Sequence, residues 1–124
     1  MKCCRVKPVS NRLIKKSSYI NGGWNTRESL DTFAVINPAN QSCVAEVASA
    51  SSADAVLAVD AAEQALPAWR AKTAKQRTEL LMAWFKLIVN NRDQLAELLT
   101  AEQGKPLAEA KGEVDYAASY IEWF

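Results

Sequence analysis

Hydrophobic and polar positions change their period once along this chain. Between residues 18 and 50 the apolar residues come in short bursts or loose alternation; from Ser51 onward they recur at helical spacing. In the first stretch, Ser18-Tyr-Ile-Asn-Gly-Gly-Trp24 places Asn21-Gly22 between β-forming residues. That pair predicts a two-residue hairpin, because both turn positions tolerate positive φ. A second strand is predicted over Thr32–Ile36, halted by Asn37-Pro38-Ala39-Asn40, and a third over Cys43–Val47. None of these runs is long or wholly apolar, which marks them as peripheral strands.

The helical stretch divides into four. Ser51 or Ser52 caps the first helix, Asp54 complements its dipole, and Ala55, Val59, Ala62 and Leu66 form its stripe, with Pro67 expected to end or bend it. Thr73 and Gln76 make a capping-box pattern ahead of a core stripe of Leu80, Leu81, Trp84, Leu87 and Ile88. Asn90-Asn91 interrupts that helix, and Leu95, Leu98 and Leu99 carry a shorter one to Gln103. Gly104 then supplies a C-cap and Pro106 opens the last helix, with Leu107, Ala110, Val114, Ala117 and Ile121 as its stripe. Trp123 and Phe124 fall outside that stripe, so the last helix is apolar on more than one side and reads as an element meant to lie between layers. The chain therefore reads as the front portion of a larger fold, expected to be molten or self-associating in isolation.

Composition narrows the chemistry. The 124 residues include no histidine, which removes Ser-His and Cys-His nucleophile systems and any histidine-ligated metal. Fifteen basic and fourteen acidic residues leave a net charge of +1, giving no field that favours nucleic acid or an anionic membrane. No apolar run approaches the roughly 20 residues of a membrane span. Cys3, Cys4 and Cys43 lack metal or redox spacing and their number is odd, so all three are expected as reduced thiols, Cys43 as a small buried hydrophobe. The first acidic residue is Glu28. Residues 1–17 therefore form a basic leader, expected to be disordered, with a transit peptide or an anion-binding arm as the functional readings. A cytoplasmic location is expected, with an organellar matrix as the alternative. Lys105 with Glu109, and Lys111 with Asp115, are expected as i, i+4 surface pairs.

Several segments in order resemble the start of the aldehyde dehydrogenase superfamily: Tyr19-Ile-Asn-Gly-Gly-Trp24, Val35-Ile-Asn-Pro-Ala-Asn40 and Ala65-Leu-Pro-Ala-Trp-Arg70. Glu102-Gln-Gly-Lys-Pro-Leu-Ala-Glu-Ala-Lys-Gly-Glu113 and Tyr116-Ala-Ala-Ser-Tyr-Ile-Glu-Trp-Phe124 are most similar to its succinate-semialdehyde dehydrogenase branch. The resemblance runs from about Leu13 to Phe124 and implies an α/β fold. Residues 18–124 would form the N-terminal part of the cofactor-binding domain, with strands over 18–50 and helices over 51–124. It implies oxidation of an aldehyde to an acid with NAD or NADP, a thiolate nucleophile, a glutamate-activated water and a homo-oligomeric parent enzyme.

The residues that would perform those steps have no counterpart in this sequence. Cys3, Cys4 and Cys43 match none of them, and Gly22, Gly23, Gly104 and Gly112 form no cofactor loop. No catalytic or cofactor-binding residue is therefore assigned, neither NAD nor NADP is expected to bind this chain alone, and by itself it is expected to be inactive. Two sites follow from the resemblance. The main-chain carbonyls of Val35 and Ile36 with Glu102 would hold a monovalent cation, against the reading of Glu102 as a solvated helix-end carboxylate. Glu113, Ala117 and Tyr120, on one helical face, would border the aldehyde entrance of the complete enzyme, against the reading of an ordinary packed face. The competing function is a non-catalytic helical module that docks on full-length subunits.

Overall fold

The hairpin pattern is realised with the turn its residues favour. The structure, a computed structural model, describes residues 12–25 and 31–124. Strands β1 (Tyr19–Ile20) and β2 (Gly23–Trp24) pair antiparallel through Asn21 and Gly22, whose φ values are 51° and 77°. Both are positive, as a twist-matched two-residue turn requires. Tyr19 sits opposite Trp24 with ring centroids 5.2 Å apart in an edge-on arrangement, and the Lys15 ammonium lies 5.5 Å from the Trp24 ring centre.

Strands β3 (Thr32–Ile36) and β4 (Cys43–Ala48) form a second antiparallel ribbon. Its connection is closed by side chains. Asn37 Oδ1 accepts from the Ala39 N–H at 2.9 Å and Asn40 Oδ1 from the Ser42 N–H at 3.0 Å. Val35 pairs with Ala45 and Ile36 with Cys43, which leaves Val44 as an extra residue in β4. The bulge breaks the inward–outward alternation, and Cys43, Val44 and Ala45 are buried in succession.

Four helices follow: α1 (Ser52–Arg70), α2 (Ala74–Asn90), α3 (Arg92–Gln103) and α4 (Leu107–Trp123). Ser51 and Asp54 form a reciprocal capping box on α1, and Thr73 and Gln76 form one on α2. Asp54 is 1% exposed; its carboxylate accepts from the Ser51 N–H at 2.9 Å, the Ser51 hydroxyl at 2.7 Å and the Asn25 amide at 3.2 Å. This cap therefore also fixes α1 against the hairpin. Gly104 ends α3 in the left-handed region at φ 77°. α4 packs on both α2 and α3, and the fully buried positions there are Ala96, Ala110 and Ala118. Small side chains at those contacts let the helix axes approach closely.

Five expectations are corrected. Pro67 lies inside α1 without ending it: the helix continues to Arg70, and the Ala71 N–H closes on the Pro67 carbonyl at 3.0 Å. A proline removes one donor, and so few residues follow it here that little else is disturbed. The stripes of α1 and α2 are largely uncovered, with Val59, Leu66, Leu80, Trp84 and Leu87 all exposed, while Leu81, Phe85 and Ile88 are half-buried. In α4 the packed residue is Ala118 in place of Ala117. Periodicity identifies an apolar face but not whether another element covers it.

The charged residues of α4 also choose other partners. Arg92 donates from Nε and Nη2 to both oxygens of Asp115 at 2.6 and 2.5 Å, Lys111 reaches Asp93 at 2.8 Å, and Lys105 pairs with Glu113. The first two tie α3 to α4, because folding the two helices back on each other brings opposite charges closer than the i, i+4 neighbours. Finally, Cys43 is in a disulfide, which overturns its expected reduced state. An odd number of cysteines excludes complete pairing without excluding one bridge. Cys3 and Cys4 lie outside the described residues.

Residues 1–11 of the leader are likewise outside the described set. Residues 12–17 carry defined contacts: Arg12 donates to Asn91 Oδ1 at 2.9 Å and to Gln94 Oε1 at 3.1 Å, and the Lys16 carbonyl accepts from the Ala48 N–H at 2.8 Å.

Candidate functional site

The turn after β3 and the end of α3 meet at one point. Gly104 has φ 77°, and a Cβ placed on it would lie 2.8 Å from Pro38 Cγ. Only a glycine satisfies both the backbone and the contact. The contact brings the C-terminal end of β3, with Val35 and Ile36, to the same region of the fold as the last turn of α3, with Glu102. Val35 and Ile36 are half-buried and Glu102 is exposed. Among the described residues no three His, Cys, Asp or Glu side chains gather as a metal-binding group. Any cation there would depend on main-chain oxygens plus a single carboxylate.

The second candidate lies on α4, where Glu113, Ala117 and Tyr120 are all exposed. Glu113 is engaged by Lys105. The Tyr120 hydroxyl is 2.5 Å from the Tyr116 hydroxyl, and the two rings stand 5.0 Å apart at 85°. That hydrogen bond, with a smaller contribution from burial, raises the Tyr120 phenol above its ordinary pKa. An open hollow of about 650 Å³ is lined by Tyr116, Ser119, Tyr120, Glu122, Trp123 and Phe124. Of the three expected residues only Tyr120 lines it. Tyr116 was missed, although its i, i+4 spacing from Tyr120 is the signal that could have found it.

Near the other end of the α3–α4 contact, the hydrogen bond from Arg92 pulls the Asp115 carboxyl below the usual range, and Lys111 does the same for Asp93. The same bond to Asp115 raises the Arg92 guanidinium. These are paired surface charges holding two helices in register, not poised acids or bases. Among the described residues the one cysteine is in a disulfide, so the arrangement offers recognition surfaces and no activated nucleophile.

Two short antiparallel ribbons followed by four helices, with a glycine-capped junction against an Asn-Pro turn, define an N-terminal part of an α/β enzyme fold. The chain belongs to the aldehyde dehydrogenase family, whose sequence profile matches residues 24–124. It is 50% identical over 113 residues to the glutarate-semialdehyde dehydrogenase of Pseudomonas putida, covering 91% of this chain and 24% of that protein. It is 48% identical over 119 residues to the succinate-semialdehyde dehydrogenase [NADP(+)] of Escherichia coli, covering 96% of this chain and 25% of that protein. A crystal structure of an aldehyde dehydrogenase from Brucella melitensis biovar abortus superposes with a TM-score of 0.87 at 47% identity, over 95% of this chain and 24% of that one. The chain thus spans about a quarter of the length of the relatives it matches. Among the described residues, no helix is long and apolar enough to cross a membrane.

Proposed function

We propose that these residues serve as the N-terminal part of an NAD(P)-dependent, cytoplasmic, homo-oligomeric dehydrogenase that oxidises a carboxylate-bearing semialdehyde to the corresponding diacid. The observation that carries this reading is near-half identity, over nearly the whole chain, to enzymes named for two such semialdehydes. The two differ by a single methylene. In the overall reaction the aldehyde carbon gains an oxygen from water, hydride passes to the nicotinamide, and two protons are released. The part these residues play is support. The Arg92–Asp115 and Asp93–Lys111 pairs hold α4 in register, and Glu113, Ala117 and Tyr120 on α4 border the aldehyde entrance. The carbonyls of Val35 and Ile36 with Glu102 offer a weak monovalent-cation site beside the Pro38–Gly104 contact. The 124 residues by themselves turn over no aldehyde and bind neither NAD nor NADP.

A chimera tests the reading: this chain replaces the matched quarter of the E. coli relative. The chimera is expected to reduce NADP with succinic semialdehyde at a rate within about tenfold of that parent, while the 124-residue chain alone gives no NADPH or NADH. A folded but inactive chimera overturns the assignment of these residues to that role. Turnover by the purified short chain overturns the division of labour. The alternative of a non-catalytic module on full-length subunits predicts that the short chain co-purifies with the intact relative, which the principal reading does not.

A further inference from the structure

Of the seven asparagines in the chain, only Asn21 precedes a glycine. An asparagine carries an amide carbon that the next backbone nitrogen can reach, closing a succinimide ring, and a following residue without a Cβ leaves that approach open. Asn21 and Gly22 are both exposed, and a Cβ built on Gly22 would meet nothing within 4 Å. The hairpin pairs Ile20 with Gly23 across the turn, which leaves the Gly22 nitrogen outside the ladder. No hydrogen bond holds the Asn21 side chain among the described residues. The others are held or shielded. Asn25 donates to Asp54 at 3.2 Å, Asn40 Oδ1 accepts from the Ser42 N–H, and Asn91 accepts from Arg12 and donates to the Leu87 carbonyl at 2.7 Å. The nitrogen after Asn90 is bonded to the Leu87 carbonyl at 3.2 Å, and the one after Asn37 belongs to a proline and carries no proton. Asn11 lies outside the described residues and precedes an arginine.

We propose that Asn21-Gly22 is a self-modification site, at which the Gly22 nitrogen attacks Asn21 Cγ and the isoaspartyl product unseats the hairpin from α1. The N–Cγ bond forms and the Cγ–Nδ2 bond breaks; the Gly22 nitrogen gives up its proton and Nδ2 leaves as ammonia, with no change of oxidation state. Water then opens the ring. Opening at Cγ restores the ordinary main chain with an aspartate side chain. Opening at the Asn21 carbonyl leaves the main chain running through Cβ and Cγ, longer by one methylene. Either product takes the net charge from +1 to zero. Strands β1 and β2 have two residues each, and a ribbon of that size opens cheaply, which frees Asn21 for ring closure. The two products then part ways. Aspartate followed by glycine suits the same turn, so the first keeps Tyr19 opposite Trp24. The second does not, because a two-residue turn sets the register by its length. Trp24 then loses its edge-on contact with Tyr19, and Asn25 its bond to Asp54, the buried cap of α1.

The test ages the 124-residue chain in mildly alkaline buffer, where the attacking nitrogen loses its proton more readily, and maps its peptides by mass. Amide-to-acid exchange is expected at Asn21 at least about tenfold faster than at any other asparagine. The isoaspartyl chain, separated by chromatography and identified by enzymatic methylation of its freed main-chain carboxylate, is expected to lack the nuclear Overhauser contacts between the Tyr19 and Trp24 rings that the fresh chain shows. The variant Asn21→Asp carries the new charge without the added methylene and is expected to keep them. Exchange at Asn21 no faster than elsewhere overturns the proposal, as does exchange confined to the chain in denaturant. A fresh chain without the ring contacts overturns it too. An isoaspartyl chain that keeps those contacts, or an Asn21→Asp variant that loses them, overturns the proposed effect on the hairpin.

Discussion

At the scale of single residues, Gly104 and Tyr120 decide the most. Gly104 joins a helix end to a turn more than sixty residues earlier in the chain, and it must be in the left-handed region with no side chain. Gly104→Ala would force both a strained backbone and a clash with Pro38. The expected cost is roughly 1–3 kcal/mol, from overpacking and unfavourable φ together. It should appear in the chimera as a lowered half-inactivation temperature, and an unchanged temperature would refute the contact. Tyr120 is held protonated by Tyr116, so its folded pKa lies above the unfolded one. The stabilisation is complete below the ordinary phenol range and is lost as pH rises through the raised value. Ultraviolet titration should show one late-ionising tyrosine, and Tyr116→Phe should move it back toward the ordinary range. The positive φ of Asn21 and Gly22 was legible in the sequence because a two-residue turn is a local matter. The Pro38 contact was not, since nothing near Gly104 in the chain announces it.

At the scale of elements, termini were easier to read than partners. The capping boxes at Ser51 and Thr73, the Asn90-Asn91 break and the Gly104 stop all fall where local hydrogen bonding places them. The ion pairs of α4 did not follow local spacing. Lys111 bonds Asp93 and Arg92 bonds Asp115, across two helices, because a neighbouring helix presented its charge at shorter range. Arg92 and Lys111 pull Asp115 and Asp93 below the usual carboxylate range, so their contribution is full above that range. It disappears as pH falls through the depressed values. Helix content, followed by circular dichroism, should therefore differ between the chain and Asp93→Asn/Asp115→Asn near neutral pH, and the two should converge in strong acid. All four groups are solvated, so added salt should narrow the difference as well. A gap independent of pH would remove the ion pairs from the account.

For the whole molecule, hydrophobic pattern and hydrophobic burial part company. The α2 stripe was read as core, yet Leu80, Trp84 and Leu87 are exposed and the buried positions are mostly alanines. A sequence specifies which side of a helix prefers to leave water; it does not supply the surface that receives it. By itself, this sequence determined its strands and helices, their caps, the turn at Asn21-Gly22 and the family resemblance. All of these depend on residues close in the chain or on motifs in order. Only the tertiary structure decided that Pro38 seats on Gly104, that α3 and α4 exchange charges, that Tyr116 bonds Tyr120 at the edge of a hollow, and that Cys43 is oxidised. Each of those depends on where the folded backbone brings groups together, and distance in space is what sets the strength of a contact.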